Sequence, residues 1–555
     1  MLACLIFKDL LLERAVGMSE VCVELVGKLV GEMLGLSKEE LSPSDNLISL
    51  GLGSLDIMRI AGLLTKNGCN VTFSELVSNP CMASWVNFAR ERSARSSSNG
   101  SPLLGSANYS KGDPFPITSV QHAYMVGRRD GQELGGTACH AYMEFECGSL
   151  DAAKLERAVE LLILRHPMLR ARFSDDGTAR IEDKVTWKGL TTYRVEGAGN
   201  PDSRIEGIRQ ELSHLRFDIE QDDLIDVRLT VVSPKRTIMH INVDLLAADV
   251  LSIQVLLEDL AHLYDGTDLA PIEIDFMEYA RRTGIGEDAR NEDREYWLNR
   301  IDNMPGGPSL PLKAPMESVK RSQFTRMEYL IDSKSWKNFT EKGRQIGVTQ
   351  SMGIAAVYAK ALSRWSEDKK FLLNLPLFNR KPIHPDVDKI VSDFTSLILL
   401  EADCANAISL LELASQMQGR FQQDVAHSSF GAVEVLRELS HRCPNDPKKA
   451  PVVFASNIGT QFISNKVEDV FGPLSKMLAE TPQVLLDHQI YDHKNGLLLA
   501  WDYVSELLDD KIAKQMFEAY CTAVRFYCEN DWSEPFPDLL PPSQRAARAE
   551  ANSEG

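Results

Sequence analysis

The sequence has no apolar run long enough to span a bilayer, no C-x-x-C pair, no surplus of basic residues and no glycine-rich phosphate loop. Each absence closes a class of function. A membrane-spanning helix needs about 20 consecutive apolar residues. The opening M-L-A-C-L-I-F-K-D is broken by Lys8 and Asp9, which also argues against a secretory leader. A net charge of −19 over 555 residues disfavours a nucleic-acid partner, because phosphate contacts require a basic face. Ten cysteines spread from Cys4 to Cys528 without paired spacing point to free thiols in a reducing cytoplasm. Without G-x-G-x-x-G, G-x-x-x-x-G-K or H-E-x-x-H, neither a nucleotide fold nor a metal site is expected.

What is present is an ordinary globular composition, 44% hydrophobic and 25% charged, long enough for a small domain and a larger two-lobed one. The second is organised around I-M-H-I-N-V-D-L-L-A-A-D-V-L-S at 238–252. Met239, Ile241 and Val243 alternate with His240 and Asn242, the period of a half-buried strand. Val250, Ile253, Leu256, Leu257 and Leu260 then share one helical face. Asp244 and Asp249 therefore sit at a strand-to-helix corner. They either brace it through arginines and N–H groups or take part in chemistry.

The first domain, 18–92, is read as a small all-α unit of four helices, with Met18 a candidate start. Leu25, Val26, Leu29, Val30 and Met33 have helical spacing, S-L-D-I-M-R-I-A-G-L-L begins a second helix at Ser54, and a last helix covers Met82–Arg92. A serine at that point is an N-cap on spacing alone, but a helix start also favours a phosphodiester. G-L-G-S-L-D-I-M resembles the phosphopantetheine site of acyl and peptidyl carrier proteins, usually D-S-L or D-S-I, with Gly53 in place of the aspartate. The following G-C-N-V-T-F-S-E-L-V-S-N-P-C-M-A-S-W is similar to aryl carrier domains of siderophore synthetases. The resemblance implies a 4'-phosphopantetheine arm on Ser54 and a phosphopantetheinyl transferase to attach it. Residues 93–113, rich in Ser and Gly, read as a flexible tether.

Residues 114–540 alternate strand-like and helical runs, an α/β unit whose length suggests lobes at about 114–285 and 286–540. F-P-I-T-S-V-Q-H-A-Y-M-V-G-R-R (115–129), R-H-P-M-L-R-A-R-F (165–173), D-L-L-A-A-D, S-D-F-T-S-L-I-L-L (392–400), P-V-V-F-A-S-N-I-G (451–459) and T-P-Q-V-L-L-D-H-Q (481–489) occur in the order seen in heterocyclization domains. These are a branch of the condensation domains of nonribosomal peptide synthetases. The resemblance implies two chloramphenicol-acetyltransferase-like lobes in a V, with a tunnel between them reached by a carrier arm from each side. It implies acyl transfer to the amine of a carrier-bound Cys, Ser or Thr, then cyclodehydration to a thiazoline or oxazoline.

Ordinary condensation domains carry H-H-x-x-x-D-G where this chain has D-x-x-x-x-D. Asp487 matches the aspartate that heterocyclization domains use with a threonine in ring closure; a carboxylate can take the nucleophile's proton and return one to departing hydroxide. The threonine position is Ala455, and Ser456 beside it should face the other way on a strand. Ala479 and Glu480 depart from the usual S-Q before T-P-Q-V. The catalytic candidates are thus Asp487, Asp244 and Asp249, in a domain expected to condense well and cyclize poorly. With no adenylation region recognisable, a stand-alone acid-activating adenylation enzyme and a downstream carrier are the expected partners. The competing reading is a non-catalytic carrier and docking module.

Overall fold

Period-3.6 and period-2 patterns resolve into helices and strands much where the residues dictate, in a computed structural model. It describes residues 23–37, 40–66, 69, 71–95, 112–196, 200–283, 287–378, 380, 381, 383–443, 448–540 and 545. The candidate start at Met18 and most of the tether lie outside them. Among the described residues, the first domain has four helices: α1 (23–34), α2 (Ser54–Lys66), α3 (Phe73–Ser78) and α4 (Met82–Arg95). Val26, Val30, Ile57, Ile60, Leu64 and Trp85 form its core. Short α3 is held at its start by a capping box: Thr72 accepts the Glu75 N–H at 3.2 Å, and the Glu75 carboxylate accepts the Thr72 N–H at 2.8 Å.

The first lobe runs β1 (Phe115–Pro116), α5 (Ser119–Gly127), β2 (His140–Cys147), α6 (Ala152–Arg165), β3 (Ala171–Ser174), β4 (Thr178–Ile181), β5 (Thr191–Arg194), α7 (Pro201–Leu212), β6 (Ile225–Ser233), β7 (Arg236–Asp244), α8 (Val250–Tyr264) and α9 (Phe276–Thr283). The second runs α10 (Glu287–Leu298), β8 (Phe324–Asp332), α11 (Ser333–Gln345), α12 (Gln350–Ser363), β9 (Lys370–Phe378), β10 (Thr395–Asp403), α13 (Leu410–Val425), α14 (Ala432–Arg442), β11 (Val452–Gln461), α15 (Asn465–Phe471), β12 (Leu474–Glu480), β13 (Leu486–His493), β14 (Gly496–Val504) and α16 (Asp510–Glu529). Among the described residues the first lobe's sheet has the order β12-β2-β7-β6-β5 and the second's β10-β9-β11-β13-β14-β8.

One cut near residue 285 does not separate these lobes. β12 comes from the second half of the chain yet pairs antiparallel with β2, from Glu480 opposite His140 to Leu474 opposite Phe145. Val387, Ile390, Val391 and Phe394 also join the first lobe's core. The physical reason is coverage: the returning strand pairs an edge of the β2–β7 sheet that would otherwise lie open. The described Cys81, Cys139, Cys147, Cys404, Cys443, Cys521 and Cys528 are free thiols, whereas Cys69 is disulfide-bonded, against expectation. The absence of C-x-x-C spacing excludes local pairs but not distant ones. No helix among the described residues is long and apolar enough to cross a membrane.

Candidate active site

Both acids of the corner are committed to arginines. Asp244, at the end of β7, accepts from Arg128 Nη1 at 2.8 Å and from the Leu246 N–H at 3.1 Å. Asp249 caps α8 by accepting the Ser252 N–H at 2.7 Å, and it accepts from Arg380 Nη2 at 2.8 Å and the Phe394 N–H at 3.3 Å. They are 0% and 3% exposed. A fully buried carboxylate is stable only when paired and hydrogen-bonded in this way. Arg380 ties the first lobe to the 380–394 segment, so the corner also fastens the lobes together. His240 lies off this site; its ring bonds Tyr142 Oη at 2.8 Å and Thr230 Oγ1 at 2.9 Å, and burial pushes its pKa down to about 4.

Between the lobes, where β12 crosses, lies a chamber of about 520 Å³. Strand alternation decides which residues face it. Val453, Ala455 and Asn457 of β11 and Asp487, Gln489 and Tyr491 of β13 line it, together with Asp249, Asp393 and Tyr124; Asp244 is not in the lining. The register sets Val453 beside Asp487 and Ala455 beside Gln489. Intervening His488 points the opposite way, into an aromatic cluster, where it bonds Tyr520 Oη at 2.7 Å and burial pushes its pKa down to about 3. Ser456 also faces away and bonds Ser351 Oγ at 2.7 Å. It therefore does not stand in for a hydroxyl at Ala455.

Asp487 is 6% exposed. Its Oδ2 accepts from Gln489 Nε2 at 2.6 Å, and its Oδ1 has no partner among the described residues. Gln489 Oε1 accepts from Arg326 Nη2 at 2.8 Å and Tyr491 Oη at 2.5 Å, which turns the amide's donor end toward Asp487. Arg326 is itself held by Asp502 at 2.7 and 2.5 Å. Burial, and secondly the nearby Asp502 carboxylate, raise the Asp487 pKa to about 7, with Gln489 and Arg326 offsetting part of the effect. Such a group both accepts and donates a proton at neutral pH, where an ordinary carboxylate does neither well. Ala479 lines the chamber too, whereas Glu480 anchors the end of β12 through His214 Nδ1 at 2.6 Å and Thr137 Oγ1 at 3.0 Å.

Gln489, Tyr124 and Asp393 were not singled out from the sequence. Gln489 was findable, since two residues along a strand from Asp487 means the same face. Asp393 falls within S-D-F-T-S-L-I-L-L, where no spacing marks it. A larger groove of about 770 Å³ on the outer side of the first lobe, flanked by Leu161 and Leu164, holds none of the candidate residues.

The carrier helices rest on the second lobe. Ser78 Oγ donates to the Gln422 carbonyl at 2.9 Å, and Arg344 Nη1 to the Leu50 carbonyl at 3.4 Å. Ser54 is the first residue of α2. Beside it Gly53 and Asp56 line a cavity of about 240 Å³ together with Trp336, Ser351, Ile458, Gly459 and Asp492. A smaller cavity lies against β9 and β11, which pair at Asn374 opposite Val453. Ser351 and Ile458 line both the mouth and this gap, and Pro376 and Phe378 line both the gap and the chamber. At the mouth the Gly53 N–H is accepted by Asp56 Oδ2 at 2.9 Å, and a side chain at 53 would meet that oxygen at 3.3 Å. A carboxylate thus stands at the start of α2 although residue 53 is glycine, and the adjoining cavity leaves room for a serine-linked arm. When bound, the phosphopantetheine arm supplies the thiol that carries acyl groups as thioesters.

A helical carrier packed against the second of two α/β lobes, with a buried acid that keeps one oxygen open in the chamber between the lobes, defines a carrier-linked acyl-transfer domain. Residues 115–530 match the condensation domain family and residues 24–89 the phosphopantetheine attachment site. The chain belongs to the condensation domain family of nonribosomal peptide synthetases and carries a domain for covalent phosphopantetheine attachment, which requires a phosphopantetheinyl transferase. It is 34% identical over 543 residues to phenyloxazoline synthase MbtB of Mycobacterium tuberculosis, covering 96% of this chain and 38% of that protein. It is 34% identical over 537 residues to pyochelin synthetase PchE of Pseudomonas aeruginosa, covering 96% of this chain and 37% of that one. The chain thus spans less than two-fifths of either relative's length. Among solved structures, the EpoB cyclization-docking bidomain from Sorangium cellulosum superposes with a TM-score of 0.72 at 29% identity, over 82% of this chain and 93% of that one.

Proposed function

We propose that this chain accepts an acyl group, in the first instance an aryl group, on a 4'-phosphopantetheine arm at Ser54. It passes that group to the amine of a Cys, Ser or Thr held on a second carrier, as a step in making a siderophore in the cytoplasm. The observation that carries this reading is the run of linked cavities from the start of α2 to Asp487. It supports the chain's own carrier as the donor. The name phenyloxazoline synthase, borne by a relative aligned over almost all of this chain, supports an aryl donor and a ring-forming acceptor. Asp487 acts as acid and base in ring closure, with Gln489 holding its orientation. Ala455 leaves that step without a hydroxyl beside Gln489, so the amide forms faster than the ring closes. A stand-alone acid-activating enzyme loads the donor arm.

The test is to load the full chain with a benzoyl thioester, add a carrier bearing Ser, Thr or Cys, and follow both by intact mass. Transfer to the second carrier, mostly without loss of water, is the expected result. An acyl group that stays on Ser54 overturns it in favour of a non-catalytic carrier and docking module. Ser351→Phe, which plugs the gap, should stop transfer from the chain's own carrier while leaving the loading of Ser54 intact.

A further inference from the structure

Acyl transfer needs a second piece of proton chemistry besides the ring closure assigned to Asp487. The incoming α-amine has a pKa near 8 and arrives largely as an ammonium, which must be bound and then deprotonated before it attacks. Among the described chamber-lining residues the carboxylates are Glu133, Asp249, Asp393 and Asp487. Glu133 pairs with Lys449 at 2.5 Å, and Asp249 is committed to Arg380. Asp487 also keeps one oxygen open, but the acyl-transfer reading already assigns it to ring closure. That leaves Asp393, in the segment joining the lobes.

Asp393 is 1% exposed. Its Oδ1 accepts the Thr395 N–H at 3.0 Å, and its Oδ2 has no partner among the described residues. The charged groups facing it are Asp249, from the start of α8, and Arg380, whose two Nη atoms bond Asp249, Ser252 and the carbonyls of Ile390 and Val387 while its Nε has no partner among the described residues. Tyr124 of α5 and Cys139 lie within electrostatic reach; burial raises both, so they stay neutral. Tyr124 lines the same chamber as both acids. A buried carboxylate oxygen without a donor is costly, and an ammonium would satisfy it.

We propose that Asp393 binds the ammonium of the incoming aminoacyl group and takes its first proton, so that amide formation and ring closure use different acids. The ammonium gives one proton to the Asp393 carboxylate. The freed nitrogen lone pair then forms the N–C bond to the thioester carbonyl. The C–S bond breaks with its electron pair going to sulfur, which takes the second nitrogen proton; one hydrogen remains on the amide. Burial raises Asp393 to about 7, with Thr395 lowering it and Asp249 adding to the rise, so the carboxylate and the ammonium coexist near pH 7.5.

This rests on the acyl-transfer reading, but its test needs no turnover. The probes are the non-hydrolysable amide of L-serine with aminopantetheine, in which an amine replaces the thiol, and the same compound N-acetylated on serine, titrated calorimetrically into the full chain. The wild type should bind the free amine about tenfold tighter at pH 7.5, a preference of one acid–amine contact, and lose the preference at pH 5.5. Asp393→Asn should erase it, Asp393→Glu should keep part of it, and Asp487→Asn should retain it, with unchanged melting curves confirming the folds. A preference that survives Asp393→Asn, or none in the wild type, overturns the assignment. If the preference behaves as expected yet no acyl group leaves Ser54, the acyl-transfer reading fails and the amine site stands.

Discussion

Two pairs of buried acids differ in one respect. Asp244 and Asp249 each meet an arginine at 2.8 Å, while Asp393 and Asp487 each keep one oxygen without a partner. An arginine-held carboxylate is a fastening, since removing either partner leaves an uncompensated charge. A carboxylate without a counter-charge is raised toward neutrality by burial, as Asp393 and Asp487 are, and can carry a proton. The same residue type is thus arginine-held at one wall of the chamber and without an ion-pair partner at another.

The sharpest way to break this contrast is Asp244→Ala. It should cost about 3–5 kcal/mol in denaturant unfolding by stranding buried Arg128, and acyl transfer should fall only as the folded fraction falls. An Asp244→Ala protein as stable as wild type but inactive would move Asp244 into the chemistry. Asp487→Asn should do the reverse. Its melting point stays within a few degrees, while the dehydrated product drops about 100-fold by intact mass and the uncyclized amide persists.

Ala455→Thr should raise the ratio of dehydrated to hydrated product about tenfold, since the side chain grows into the chamber rather than into packed neighbours. An unchanged ratio would show that the missing hydroxyl is not what limits ring closure. The smallest effect is on stability against pH. Asp393 and Asp487 have folded pKa values near 7, above the unfolded carboxylate value. Their protonated forms therefore stabilise the fold fully below about pH 4, and that contribution is lost as pH rises to 7, on the order of 1 kcal/mol per unit per group. Asn at either position should flatten that slope.

Much of this was legible because local period and motif order are local properties. The strand ending at Asp244, the helix beginning at Val250 and the start of α2 at Ser54 fall where the residues dictate. Alternation also told that Ser456 turns away from the chamber. Less legible were features set by distant pairing. Nothing local says that β12 joins the first lobe, since a strand's partner is chosen by three-dimensional coverage. Nor does spacing distinguish a paired aspartate from an unpaired one. Arg128 and Arg380 are 116 and 131 residues away from the acids they hold. Asp393 is as ordinary in sequence as Asp249 and differs only in lacking such an arginine.

The crossing of β12 sets how traffic through the molecule must run. Prising the lobes apart would unzip a ladder that extends from His140–Glu480 to Phe145–Leu474 and strip Asp249 from Arg380. Wholesale opening is therefore far costlier than sliding a slender arm along the gap between β9 and β11. The width of that gap at Ser351 and Ile458 then limits the exchange of arms independently of how fast the acids work.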